Sequence, residues 1–238
     1  MRLIKKHETA FLNKFKGLSF KLVTLFCTFL LCGVSQAQQS TGYQFWSANT
    51  IRGPIGEGKK WEYFFEVQPR VDFENSSRSR VLVRPAMIFN LDADQSIWAG
   101  AVDVRDLDLK HKEFRLWQQY QKNSRSGQVI FVNRTRLEER FASGTADVGL
   151  RLRHMIRTQI PLGEESSWSV VLFDEVFVGL NQNKSQSQSG FDQNRAFAGI
   201  RKNLNKNKFI EFGYLNQYTR VQVMNHIPFI TIGKVFVK

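Results

Sequence analysis

Residues Lys60 to Phe73 read KWEYFFEVQPRVDF. The odd positions Trp61, Tyr63, Phe65, Val67, Pro69, Val71 and Phe73 are all apolar or aromatic. The even positions Lys60, Glu62, Glu66, Gln68, Arg70 and Asp72 are polar, with Phe64 the exception. Successive side chains of a strand point to opposite faces, so this alternation predicts a strand with one apolar and one charged face.

The same period runs outward in both directions. In Ser79–Leu91, Val81, Val83, Pro85, Met87, Phe89 and Leu91 oppose Arg80, Arg84 and Asn90. In Glu113–Lys122, Phe114, Leu116 and Tyr120 oppose Glu113, Arg115 and Gln119. In Gly127–Phe141, Val129, Phe131, Leu137 and Phe141 oppose Arg134, Arg136, Glu138 and Arg140. In Ala146–Ile160, Val148, Leu150, Leu152, Ile156 and Ile160 oppose Asp147, Arg151, Arg153, Arg157 and Gln159. Ser96–Asp106, Ser167–Leu180, Phe191–Arg201, Lys208–Thr219 and His226–Val237 read as further strands with weaker contrast, and Tyr43–Ile51 as a first one. Short polar stretches such as Glu74–Ser77, Asp92–Gln95 and Ala142–Thr145 have turn compositions. The longest is Asn181–Gly190, NQNKSQSQSG. No linker divides the chain. The reading is all-β.

The N-terminal stretch differs. Met1–Lys21 holds Arg2, Lys5, Lys6, Lys14, Lys16 and Lys21 against a lone Glu8, and Leu22–Val34 is uncharged and apolar. Ser35-Gln36-Ala37 then supplies small residues at a cleavage spacing. A basic region, an apolar run and a small-residue site make a secretory signal peptide over residues 1–37. The apolar run is short for a spanning helix, which needs about 20 residues; a retained N-terminal anchor is the competing reading. The single domain is then 38–238. It keeps 28 basic against 20 acidic side chains and loses both cysteines, Cys27 and Cys32. A cysteine-free exported chain has no disulfide, no thiolate metal site and no cysteine nucleophile.

The placement of the two faces decides the class. A soluble sandwich or barrel turns its apolar face inward; a transmembrane barrel turns it outward to lipid and encloses the polar one. Three features favour the second. Several alternating runs are 13 to 15 residues long, against a common strand length of about 5–6 in soluble proteins. The polar face is dense in arginine. Trp61, Trp98 and Trp168 each open a strand, and in an up-and-down barrel their strands share a direction, so all three are expected in one aromatic girdle. The fold expected is a closed antiparallel up-and-down transmembrane β-barrel of 10–12 strands. Eleven can be counted, but closed bacterial barrels have an even number. Dropping Tyr43–Ile51 as a full strand gives ten; a missed strand upstream gives twelve.

The strings HKEFRLWQQ (His111–Gln119), RTRLEER (Arg134–Arg140), RLR (Arg151–Arg153), FDQNR (Phe191–Arg195) and GYL (Gly213–Leu215) resemble the family catalogued as domain of unknown function 2490. The likeness runs from about Trp46 to the chain end. It implies an outer-membrane β-barrel of a Gram-negative envelope and no particular chemistry. The final residues, Val237-Lys238, depart from the terminal aromatic common in such barrels.

The arginine face is the constellation that stands out. Around the hairpin at Ser143-Gly144, aligning the polar faces sets Arg140 opposite Asp147, Arg136 opposite Arg151 and Arg134 opposite Arg153. Like charges directly opposite are unfavourable, so carboxylates must come from neighbouring strands. Glu175 is expected opposite Arg151 or Arg153, and Glu113 and Arg115 near Arg136 and Glu138. The candidate luminal network is Arg84, Glu113, Arg115, Arg134, Arg136, Glu138, Arg140, Asp147, Arg151, Arg153, Glu175 and Arg195. It either fills the lumen and fixes register or forms a basic constriction for a small anionic ligand.

Other chemistry is thin. His111, His154 and His226 lie on an apolar parity or at strand ends, and no G-x-S-x-G or H-E-x-x-H occurs. Glu138 and Glu139 are adjacent, so they face opposite ways. Asp103, Asp106 and Asp108 could hold a cation at a strand end but lack the calcium-loop spacing. No cofactor is expected. Nucleic acid is a poor partner, because the basic residues alternate within strands; outer-membrane lipid and lipopolysaccharide are the expected surroundings. The reading is a structural or binding barrel, or a narrow anion-preferring pore. The alternatives are an envelope barrel enzyme acting on lipid and a soluble periplasmic β protein.

Overall fold

A computed structural model describes residues 40–57, 60–107, 112–144, 146–182 and 188–236; the leader expected over 1–37 lies outside them. The strands are β1 (Ser40–Pro54), β2 (Trp61–Asp72), β3 (Arg80–Asn90), β4 (Gln95–Asp106), β5 (Lys112–Ser126), β6 (Val129–Ala142), β7 (Val148–Pro161), β8 (Trp168–Gly179), β9 (Gly190–Asn203), β10 (Lys208–Thr219) and β11 (Val223–Val235). Each pairs with its neighbours in the chain, and β1 meets β11, so the sheet closes into a barrel.

The eleven strands fall within the 10–12 expected, and the closure corrects two finer expectations, an even number and antiparallel pairing throughout. The strand number is odd, and the closing pair β1–β11 is parallel, with Tyr43 opposite His226 and Ile51 opposite Lys234. The two corrections are one fact. Strands joined by short connections alternate in direction, so the eleventh runs as the first does and can meet it only in parallel. Tyr43–Ile51, whose loss would have restored an even count, is the centre of a 15-residue strand paired on both sides.

The alternation sorts side chains between an inner and an outer face. Contacts between strands that are not neighbours identify the inner one. Arg134 on β6 reaches Glu175 on β8, Arg157 on β7 reaches Glu211 on β10, and Arg52 on β1 lies over Trp98 on β4. On β2 the inner set is Glu62, Phe64, Glu66, Gln68, Arg70 and Asp72, while Trp61 and Phe65 are exposed outside.

The interior also holds apolar matter that the polar reading of the lumen did not foresee. One cluster joins Trp46, Met155, Val171, Phe173, Phe197, Leu215 and Ile227. A second joins Leu82, Ala86, Ile88, Trp98, Val102, Val104 and Trp117. Close approach needs glycine at two places. Gly213 lies opposite Gly199 under the ring of Phe197, and a Cβ on it would sit 2.3 Å from the Ala198 carbonyl oxygen. A Cβ on Gly100 would sit 2.5 Å from the Trp117 ring.

Of the three tryptophans expected to share the outer face, two do. Trp61 is 49% exposed and Trp168 shares its outward parity, but Trp98 is 7% exposed and points inward. Its ring packs against Phe64, and its indole N–H donates to Ser96 Oγ at 2.8 Å. The cause is the parity of β4, whose outer face is Ile97, Ala99, Ala101, Asp103 and Arg105. Outward aromatics instead gather near both ends of the barrel. Trp61 packs with Phe89 toward one end; Phe114 with Phe141, and Phe191 with Tyr218, lie toward the other.

Candidate functional site

β6 and β7 supply the centre of the network, because RTRLEER and RLR place charge at every second position. Their register differs from the expected one by two residues: Glu138 lies opposite Arg151, Arg136 opposite Arg153, and Arg140 opposite Gly149. A two-residue shift keeps the charged faces inward, and it sets Glu138 rather than Arg136 across from Arg151, while Arg153 still faces an arginine. Asp147 is exposed ahead of β7 and does not face Arg140 in the ladder.

Glu138 is fully buried. Its Oε2 accepts from Arg151 Nε at 3.0 Å and Nη2 at 2.6 Å, and its Oε1 accepts from Arg153 Nη1. The other edge of Arg153 donates to Glu175 at 2.8 and 3.0 Å, and Arg134 reaches the same carboxylate at 2.6 Å. Glu175 is not directly opposite Arg153, which faces Phe177; the pair is diagonal, within reach of long side chains. Asp192 takes the remaining amino group of Arg151 at 2.9 Å. The ladder skips Asp192, since Phe177 pairs with Gln193 and Val178 with Phe191. Such a bulge re-aims a side chain, and alternation alone does not announce it.

Glu113 and Arg115 form their close ion pairs with each other and, for Glu113, with Arg140, not with Arg136 or Glu138. Glu113 is held between Arg115, at 2.7 and 3.0 Å, and Arg140, at 2.6 and 3.2 Å. Arg136 instead donates twice to Gln119 Oε1, at 2.9 and 2.6 Å, and its guanidinium lies 3.9 Å from the Trp117 ring centre. Arg84 pairs with Glu66, and Arg157 with Glu211 through two bonds at 3.0 and 2.6 Å. Glu66, Arg157, Glu211 and Asp192 were absent from the candidate set. The first three carry the inward parity of their strands, which was the available signal. Planar guanidinium forks match carboxylates in two-bond contacts.

Arg195 stands apart. It is inward, yet no carboxylate lies within ion-pair distance of it among the described residues. Its guanidinium lies 4.8 Å from the Trp46 ring centre and 4.6 Å from that of Phe177. Glu175, its ladder partner, is engaged by Arg134 and Arg153.

The other candidates disperse. Asp103 faces out and meets Arg105, while Asp106 faces in and meets Arg80, so they share no site; Asp108 and His111 lie outside the described residues. His154 contacts Thr135, and His226 contacts Tyr214, both on the outer face. Among the described residues no group of three or more His, Cys, Asp or Glu is placed to hold a metal ion.

The sequence pattern of a protein family of unknown function, DUF2490, matches residues 43–226. The chain belongs to the DUF2490 family. An uncharacterized protein of Methylorubrum extorquens is 33% identical over 186 residues, covering 75% of this chain and 79% of the relative. No solved structure matches. The matched span holds the network of this DUF2490 barrel entire, from Glu66 on β2 to Glu211 on β10.

Proposed function

We propose that this DUF2490 protein is an outer-membrane β-barrel whose lumen is filled by its own ion pairs, a structural or binding protein rather than an open pore. The observation that carries the reading is the inverted distribution of side chains. Arg84, Arg115, Arg136, Glu138, Arg151, Arg153 and Glu175 are all buried inside, while Phe65, Met87, Leu116, Ile156 and Ile232 are exposed outside. Water disfavours that outer face, and lipid tails match it. Aromatic pairs near both strand ends suit the two interfaces of a bilayer. The filled lumen is supported by side chains that bridge across the barrel, and by the two apolar clusters that wall it. Small barrels are commonly filled in this way.

Refolding residues 38–238 into planar bilayers tests the proposal. Stable insertion without steady conductance is the expected result. Steady anion-preferring steps, abolished by neutral replacements of Arg136 and Arg151, would replace the closed lumen with a narrow pore. A folded product that stays in buffer without detergent would overturn the membrane reading.

A further inference from the structure

Four buried side-chain polar atoms among the described residues have no hydrogen-bond partner, and three of them are guanidinium Nε atoms: those of Arg70, Arg84 and Arg195. All three arginines line one luminal cavity of about 340 Å³. A buried donor without a partner is costly, and its occurrence calls for an explanation. Here three such donors belong to residues that border one space.

The charges around that space are unbalanced. Arg84 is paired with Glu66. Arg70 has no carboxylate within ion-pair distance among the described residues; it donates to Gln68 at 2.7 Å. Arg195 likewise has none. Both are held against Trp46, Arg70 at 3.7 Å and Arg195 at 4.8 Å from its ring centre. The indole thus holds two cations that have no ion-pair partner of their own among the described residues. The rest of the wall is mixed: Glu66, Glu175 and Glu211 border it with Arg134, Arg153, Arg157 and Arg201, leaving arginine in excess, and Met155, Phe173, Leu215 and Phe229 form an apolar stretch along the same cavity.

We infer that this cavity is a binding site for a small amphiphilic anion, a carboxylate or phosphate monoester on an apolar body. The anionic head engages the guanidinium groups of Arg70 and Arg195, which make no ion pair among the described residues, and the apolar body lies on the Phe173–Leu215–Phe229 stretch. The volume is at the lower end of the range for small-molecule sites, about 300–1,000 Å³. A bare inorganic anion would leave the apolar wall uncovered, and a cation would meet unpaired arginines. The site rests on the reading of the lumen as a closed chamber.

The test is calorimetric titration of the refolded barrel, in a non-ionic detergent, with phenylacetate and phenyl phosphate as probes and phenethylammonium as the control of opposite charge. Saturable binding of either anion, with none of the cation, is expected. R195Q and R70Q should each weaken it about tenfold or more, the scale of one lost charge-assisted hydrogen bond. Arg195 makes no hydrogen bond or ion pair among the described residues, so R195Q breaks none of the network's hydrogen bonds. Thermal unfolding of the unchanged protein gives a second readout: a bound anion raises the midpoint with concentration, and phenethylammonium does not. Equal binding by the R70Q/R195Q variant, equal binding of the cation, or no saturable binding with no thermal shift would overturn the site. Steady conductance through an otherwise intact barrel would overturn the closed chamber instead, and an intact barrel that needs no detergent would overturn only the membrane placement.

Discussion

Glu138 and Arg151 face each other across the β6–β7 ladder, and the carboxylate, fully buried, accepts two hydrogen bonds from that arginine while Arg153 holds its other oxygen. One carboxylate thereby compensates two inward arginines of a single strand. Removing its charge leaves both cations short of compensation in a confined interior. Breaking a buried pair from one side costs about 3–5 kcal/mol. E138Q is therefore expected to lower stability by that amount, read from the urea midpoint of the refolded barrel. Asp192 also meets Arg151 but is partly exposed, its side chain at 29%. D192N is expected to cost about 1 kcal/mol or less. Equal losses in the two variants would show that the network is not centred on Glu138.

The two faces of the barrel make opposite demands on tryptophan. Trp98 lies inside among Phe64, Leu82 and Val102, whereas Trp61 lies outside. W98A is expected to cost about 3–5 kcal/mol, as large aromatic truncations in a core do. W61A should change stability in detergent far less and should slow insertion into bilayers. Thermal midpoints and insertion rates of the two variants check this; a larger stability loss in W61A would contradict the inward assignment of Trp98.

Gly213 allows β9 and β10 to carry the ring of Phe197 across their ladder. A Cβ there would meet backbone at 2.3 and 2.5 Å, atoms that cannot rotate away. G213A is expected to cost about 1–3 kcal/mol through overpacking, measured by the same unfolding assay. A neutral result would mean that the ladder opens easily at this point.

Much of this architecture is legible in the residues. KWEYFFEVQPRVDF, RTRLEER and RLR state both faces of their strands, because charge and apolar bulk alternate without a break. The Arg153–Glu175 contact also follows from parity. Three things do not. Trp98 sits in β4, where small residues on the outer face hide the parity. Asp192 enters the lumen through a bulge, which breaks the period of two that the eye follows. The β6–β7 register depends on which of two same-face alignments sets fewer arginines against each other, and the turn at Ser143-Gly144 leaves both open. The parallel closure is legible only once Tyr43–Ile51 is accepted as a full strand, after which an odd count forces it.

The central claim is that the outer face meets lipid while the arginines stay within. Ile156 is suited to test it: it is 51% exposed on the outer face of β7, between the inward Met155 and Arg157. Both cysteines of the chain precede residue 38, so I156C gives residues 38–238 a single thiol for an environment-sensitive fluorophore. In bilayers the account predicts blue-shifted emission, quenched by lipids brominated along their chains and unaffected by aqueous iodide. Water-like emission quenched by iodide and untouched by brominated lipid would contradict it.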